Sequence, residues 1–489
     1  ANKRNPMIAS VHASTSDTSP SKRKFSSARP NALVNDRSSE TRWVRAPAST
    51  AAAEYDFLPA DRALVPILCV TRLFFFARPL EVHAVAAALE NILERVPALA
   101  GRVRDAGLRL SGNEGIPVVV ARAEHAGKEI RRGSSHLARE KPGDPCPFAE
   151  ALDVFRVCAG LEPVLAVRLT KFADEASCLA FTFWHGIFDG GASAAFCKAF
   201  AAAARGEPFV LSLPSIVQSI AAVDTPTGFR LLPLQPPAGS EPPAGLDAPS
   251  EAWAKTESIH FDRVELDAMK LRCVRGGAEL QISSHDALIA HMWRLVHTLP
   301  GRAAPSAASF NVDSRSRLPA SELGLSALGN HFLNVCTDDV DVKKLSEGKL
   351  ADLLRALNHK CTPDVVRATN SWLLDVRAQG LLDRLVPAAR DVPSRGPSAS
   401  FVTTDWRCDA YTIDFGAGVP IWVHGSLALA GTAIPIDNLL IVHDAPPADS
   451  GMDVSLQLGG LGSADEAEAT WTAFRAALVS LRASLLHVC

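Results

Sequence analysis

The residues with the most chemical potential lie together in "CLAFTFWHGIFDGGASAAF", residues 178–196. An apolar run from Leu179 to Trp184 stops at His185, and Asp189, Gly190 and Gly191 follow within six positions. A neutral imidazole titrates near pH 6.5, so a histidine placed here can take a proton from a hydroxyl or an amine at neutral pH. An aspartate four residues on can polarise such a base, or it can belong to a charge pair elsewhere in the fold. A histidine at a strand end is also, by itself, a common structural feature.

Placing these side chains requires a strand to deliver them and a helix to follow. Leu179–Trp184 has the continuous apolar character of a buried strand, and the Ala-rich segment after Gly191 suits a helix reaching about Arg205. Upstream, Leu64 to Phe76 also suits a buried strand. Val82, Val85, Leu89 and Leu93 recur at helical spacing, which predicts an amphipathic helix over 80–95 that ends near Pro97. Segments 116–122 and 163–169 are strand-like. Downstream, "DALIAHMWRLV" (286–296) is an apolar helix, and 411–429 reads as two strands around a turn. The last helix opens on a capping box, Ser463 with Glu466, ahead of Trp471, Phe474 and Leu478. This mixture of strands and helices places the chain in the α/β or α+β class.

At 489 residues the chain exceeds one ordinary core, so two domains are expected. Residues 1–50, rich in Ser, Ala, Arg and Thr, read as a disordered arm without core contacts. "SKRK" at 21–24 is a solvated basic run or a nuclear address, and Asp17, Asp36 and Glu40 interrupt any presequence character. The segment 233–250, "PLQPPAGSEPPAGLDAPS", is a linker by its proline and glycine content. The expected organisation is therefore an arm (1–50), a first domain (51–225), a crossover linker (226–252) and a second domain (253–489). A 47% hydrophobic, 21% charged composition with net charge −3 gives no reason to expect nucleic acid as a partner. No apolar run approaches the roughly 20 residues that span a bilayer, so no membrane partner is expected. Ten cysteines without a C-x-x-C pair suggest a reducing, cytoplasmic setting. His285 and His291 stand six apart with no acidic cluster, so no metal site is expected.

Three further motifs occur: "RVPALAGRVR" (95–104), "DSRSRLP" (313–319) ahead of "LGNHFLNV" (328–335), and "DFGAG" (414–418). In this order and at these distances, together with H-x-x-x-D-G, they resemble the BAHD acyltransferases, an acyl-CoA-dependent family of plants and fungi. The resemblance runs from about residue 54 to the end and is closer to the fungal, trichothecene-acetyltransferase-like branch. It implies two chloramphenicol-acetyltransferase-like domains joined by a crossover loop, with the active-site channel at their interface. Acyl-CoA, most simply acetyl-CoA, would enter one side as co-substrate, and a small-molecule alcohol or amine would enter the other. The enzyme would be a monomer of specialised metabolism with no permanently bound cofactor.

The same resemblance implies roles for single residues. His185 would be the general base of a direct transfer, while Asp189 would turn away from it to pair with Arg315. Gly190 and Gly191 would let a tight turn feed the helix. "TDW" (404–406) matches a Thr-Ser-Trp-like segment of the family, with Asp405 in place of Ser. Thr404 and Trp406 would donate to the oxyanion, or Trp406 is simply core; an anionic Asp405 opposes that oxyanion unless it is paired. Ser284 would line the pantetheine arm of CoA. "DFGAG" departs from the family's DFGWG at Ala417, and Asp414, Gly416 and Gly418 would have a structural role remote from the reaction. A kinase reading of D-F-G fails because H-R-D and a Gly-rich loop with its lysine are missing. Two other functions stay open. One is a condensation-type enzyme acting on carrier-protein thioesters, in which a second histidine usually stands where this chain has Trp184. The other is a non-catalytic small-molecule-binding relative.

Overall fold

The computed structural model describes residues 35–47, 50, 53–63, 69–124, 127, 146–213, 228–231, 253–302, 305–389, 399–428, 438–448 and 450–486. Among the described residues, seventeen strands form two six-stranded mixed sheets and two small ones.

The first large sheet runs β1 (Asn35–Arg45), β6 (Gly115–Arg122), β7 (Leu165–Lys171), β8 (Ser177–Trp184), β3 (Cys69–Phe76), β15 (Trp422–Ala428). β3 and β8 are buried at every position, as their unbroken apolar sequences require. Beside this sheet β2 (Ala53–Asp56), β5 (Gly107–Leu110) and β4 (Arg102–Arg104) make a three-stranded ribbon. Short helices α1 (Pro59–Ala63) and α3 (Val154–Cys158) punctuate the half, and α2 (Val82–Arg95) packs against α4 (Gly190–Ala204). The α2 stripe Val85, Leu89, Ile92 and Leu93 is buried, as its spacing predicts. Phe181, Phe183, Phe188, Phe196 and Phe200 join β8 to α4, with ring centroids 4.7–6.1 Å apart.

The second large sheet runs β10 (Trp253–Phe261), β17 (Met452–Leu461), β16 (Asn438–Asp444), β14 (Ser400–Asp405), β11 (Ala307–Asp313), β12 (Phe332–Cys336). Helices α5 (Arg263–Arg275), α6 (Ser284–Thr298), α7 (Glu347–Lys360) and α9 (Ala464–Leu486) share its core with Trp293, Phe401, Leu440 and Trp471. Helix α8 (Pro363–Ala378) touches α1 of the first half, near the two-stranded pair β9 (Phe229–Leu231) and β13 (Leu385–Pro387). The α9 cap differs in detail from a full capping box. Ser463 Oγ accepts from Glu466 N at 3.1 Å, but Glu466 reaches back to Gly462 N at 2.7 Å instead of Ser463 N.

Four expectations need correction. The arm 1–50 is not structureless throughout, because Asn35–Arg45 is an edge strand antiparallel to β6. Its polar composition fits an edge exposed on one side, with Val44 turned inward. Residues 411–429 contain one strand, not two: Ala410–Thr412 is a 3₁₀ turn and β15 follows. The second domain is not self-contained from 253 onward. β15 pairs with β3 in the first sheet over Trp422–Ala428, and Trp406, Tyr411, Phe415, Val423 and Ile441 lie in the first core. Finally, the linker 226–252 includes the strand Phe229–Leu231. The Pro-rich stretch 233–250, "SKRK" and residues 64–68 of the first predicted strand lie outside the described residues. Among the described residues, no helix is long and apolar enough to cross a membrane.

Candidate active site

His185 is the first residue beyond β8, in a turn that leads to the start of α4. The turn can be tight because Gly186 lies under the folded-back Trp184 ring, where a Cβ would meet indole carbons at 2.2 Å. His185 is half-buried. Burial holds its imidazole below the ordinary value, although its own carbonyl, the Asp189 charge and the Asn330 side chain push the other way. The base form is therefore the resting form at neutral pH.

Asp189 caps α4 and does not bond to the imidazole. Its Oδ1 accepts from Ala192 N at 2.7 Å, and its Oδ2 accepts from Arg315 Nη1 at 3.0 Å and His331 N at 2.7 Å. Arg315 is fully buried, and its remaining donors go to Asp313 Oδ1, Ala327 O and Gly329 O. Burial alone would raise the Asp189 pKa, but the Arg315 charge and the hydrogen bonds hold it below its usual value. Gly190 and Gly191 both have ordinary φ, so the sequence reading of a glycine-dependent turn is incorrect. Gly191 is needed for space: a Cβ there would lie 2.6 Å from Arg315 Nη1 and 2.7 Å from Asp313 Oδ2.

The segment 328–331 is the junction between the halves. Gly329 bridges Phe188 as a short parallel pair, and its N–H donates to Ile187 O at 3.0 Å. Asn330 Nδ2 donates to His185 O at 2.9 Å. Sequence reasoning used "LGNHF" as a spacing marker and missed Asn330; the signal was a lone amide between a glycine and an apolar strand.

The "TDW" segment ends β14 against the start of α4. A Cβ on Gly190 would lie 3.8 Å from Trp406 Cδ1 and 3.9 Å from Asp405 O, which is ordinary contact. Trp406 is buried in the first core, edge-on to His443. Thr404 is half-buried in β14, paired in register with Ile441. Asp405 is paired: Arg407 binds both its oxygens, at 2.9 and 2.5 Å. Burial would raise its pKa, and the Arg407 hydrogen bonds together with the His285 and Arg407 charges lower it instead. The anion is thus committed locally. His285, in the first turn of α6, sits 3.7 Å from Asp405, so the neighbouring Ser284 belongs to this end of β14. Ser283, not Ser284, caps α6, exchanging bonds with Asp286.

Arg72 was also missed, although a single arginine inside "CVTRLFFF" is a visible anomaly. It is buried on β3 and donates to Gly190 O, Ser193 Oγ and Trp406 O at 2.9–3.3 Å, with its guanidinium 5.5 Å from the Trp406 ring centroid. It therefore ties β3, α4 and the "TDW" segment together. "DFGAG" is elsewhere. Asp414 Oδ1 accepts from Gly416 N and Gly418 N at 2.7 and 2.9 Å, both glycines having positive φ, and Arg205 donates to Asp414 O. Arg205 follows the far end of the 15-residue α4, about 24 Å along the helix from Asp189. Phe415 packs 4.9 Å from Phe74 and 6.0 Å from Phe181, so this motif anchors the chain in the first core.

The chain is similar to known proteins over most of its length. The profile of the family described as "Transferase family" matches residues 53–458. A curated relative, agmatine hydroxycinnamoyltransferase 1 of Oryza sativa subsp. japonica, is 25% identical over 339 residues, covering 65% of this chain and 72% of that one. Among solved structures, vinorine synthase superimposes with a TM-score of 0.61 at 19% identity, covering 87% of this chain and 94% of that one. TRI101 of F. sporotrichioides, solved with coenzyme A and T-2, gives 0.60 at 17% identity, covering 85% and 96%.

Proposed function

Because the chain belongs to the Transferase family, the BAHD acyl-CoA-dependent acyltransferases, we propose that it moves an acetyl group from acetyl-CoA to a hydroxyl of a specialised metabolite, with His185 as general base. Acyl-CoA is the co-substrate and the protein is an acyltransferase. The observation that carries the rest is the state of His185: a half-buried imidazole at a strand end, depressed by burial and not bonded to Asp189.

In this reading the imidazole takes the acceptor proton as the acceptor oxygen bonds to the thioester carbonyl carbon. The C–S bond then breaks, and the departing CoA thiolate takes the proton back. Both substrates are held at once, so no covalent enzyme intermediate forms. A positioned base contributes roughly 10²–10⁴-fold. Thr404 and Trp406 are the proposed oxyanion donors, with the Asp405 charge committed to Arg407. Ser284 is the proposed contact to the pantetheine arm. Asp189 and Arg315 hold the loop, with the Gly190 carbonyl accepting from Arg72, and Asp414, Gly416 and Gly418 hold the distant anchor. The protein works as a cytoplasmic monomer.

An amine acceptor is the second reading, favoured by one observation: the curated relative is named for an amine, agmatine. The condensation-type alternative is disfavoured at Trp184. That residue, at the position of a second histidine, is fully buried with its ring 5.6 Å from Phe57.

The test is CoA thiol release from acetyl-CoA with parallel panels of alcohols and amines. His185→Ala should lower kcat by about 10²-fold or more at unchanged melting temperature. For the native enzyme, kcat/KM should rise with pH through a pKa below about 6.5 and then level off, because only the neutral imidazole accepts a proton. Near-normal kcat in His185→Ala would remove the general-base assignment.

A further inference from the structure

The imidazole of His185 has one nitrogen, Nδ1, that is buried and has no hydrogen-bond partner among the described residues. The same holds for Oδ1 of Asn330, whose side chain borders the imidazole closely enough to raise its basicity. Asn330 is itself buried. Two buried polar atoms left orphaned on neighbouring side chains are costly unless they serve each other.

What aims the Asn330 amide is Asp61 of α1, which is fully buried. Its Oδ1 accepts from Asn330 N at 2.7 Å and Asn330 Nδ2 at 2.9 Å. Its Oδ2 accepts from Tyr55 Oη at 2.7 Å and Leu58 N at 2.8 Å. Four donors on two oxygens describe an ionised carboxylate, which only accepts. Burial lifts its pKa to about 6, opposed by these same bonds, so it is ionised at neutral pH. Asn330 Nδ2 thus faces two acceptors, Asp61 Oδ1 and His185 O. The amide cannot turn over without placing oxygen against oxygen at both.

We propose that Asp61, held by Tyr55 and acting through Asn330, is a positioning residue that fixes the tautomer and orientation of His185. With the amide nitrogen committed, Oδ1 is the atom left for the imidazole, and an acceptor there requires a proton on Nδ1. The lone pair then lies on Nε2, turned away from the network, ready for a substrate proton. A carboxylate brought by the first half and an amide brought by the second therefore prepare the base before substrate arrives. This rests on His185 being the base, yet the state it describes exists in the free enzyme.

The experiment is ¹⁵N-edited NMR of the imidazoles in the full chain without substrate at pH 7.5, with the His185 signals assigned by their loss in His185→Ala. The native protein should hold His185 as the Nδ1–H tautomer. Asp61→Asn, isosteric but able to donate, should let the 330 amide turn over. It should give a mixed or Nε2–H tautomer, with kcat lowered about 10–100-fold and KM for acetyl-CoA within twofold. Should Asp61→Asn fail to fold, Asn330→Ala, which keeps the backbone N–H on Asp61, carries the same test. A native Nε2–H tautomer, or a folded Asp61→Asn with native tautomer and kcat, overturns the proposal. A tautomer that shifts as expected in a protein that transfers no acyl group would instead leave the brace standing and remove the enzymatic reading.

Discussion

At the scale of single residues, the charge cluster beneath the histidine loop makes an asymmetric prediction. Arg315 holds two carboxylates: Asp189, nearly buried, and Asp313, whose side chain is 44% exposed. Removing Asp189 leaves Arg315 with Asp313 as a partner. Removing Arg315 leaves two carboxylates facing each other, one of them inside the protein. Breaking a buried pair costs about 3–5 kcal/mol, so Arg315→Ala should lie at that level and Asp189→Ala below it. The double variant should cost less than the sum by more than about 0.5 kcal/mol. Denaturant unfolding of the four proteins checks this, and additive costs would contradict the coupling. This contact was legible in the sequence only through the family resemblance, since 126 positions separate the partners. Periodicity carries no information over that distance. Asp61 and Asn330 were invisible for the same reason, being 269 positions apart. His185 was legible because an apolar strand that ends on a histidine is a local pattern.

Secondary-structure elements were legible where burial sets the sequence pattern. Helix α2, with its buried stripe, and β8, buried on both faces, fall where spacing puts them. β1 was not legible, because an edge strand needs few apolar residues and "NDRSSETRWVR" looks like unstructured chain. Its role leads to a second prediction. β1 pairs with β6 continuously from Glu40 to Arg45, burying Val44, while Trp43 is half exposed. A chain beginning at residue 46 would bare the edge of β6, Gly115–Arg122, which carries the apolar run Ile116 to Ala121. Burial of Val44 alone is worth about 1.5–3 kcal/mol, so the shortened protein should melt at least a few degrees lower. It should also aggregate more readily, because a bare apolar edge is a template for other strands. Activity per folded molecule should be retained. β1 lies three strands from β8, about 14 Å across the sheet from the strand that carries His185. Unchanged melting and solubility would show that β1 contributes nothing to the fold.

The whole molecule is not two beads on a string. Chain length called for two domains, and elements from beyond the linker, β15 and Phe415 among them, belong to the first sheet and its core. β15, from the second half of the chain, covers the edge of β3 in the first sheet. Phe415 fills the aromatic cluster between β3, β8 and α4, and Trp406 lies against the start of α4. Arg315 neutralises Asp189, and Asn330 bonds to both Asp61 and His185. None of this is written in composition or periodicity, because each contact is a long-range pairing between halves. The physical consequence is that residues 1–225 lack a strand, an aromatic anchor and a counter-ion that their own core requires. Expressed alone, that fragment should show no cooperative unfolding transition and should collect in the insoluble fraction. Its unpaired β3 edge and orphaned Asp189 oppose a compact state. Co-expressed with 226–489, it should assemble into a soluble one-to-one complex, since the missing pieces are supplied in trans. The reconstituted complex should regain acyl transfer, because His185, Asn330 and the "TDW" segment would again meet. A fragment 1–225 that is soluble alone and melts cooperatively would refute this dependence. It would also mean that β15 and Phe415 only decorate a core that the first half completes by itself.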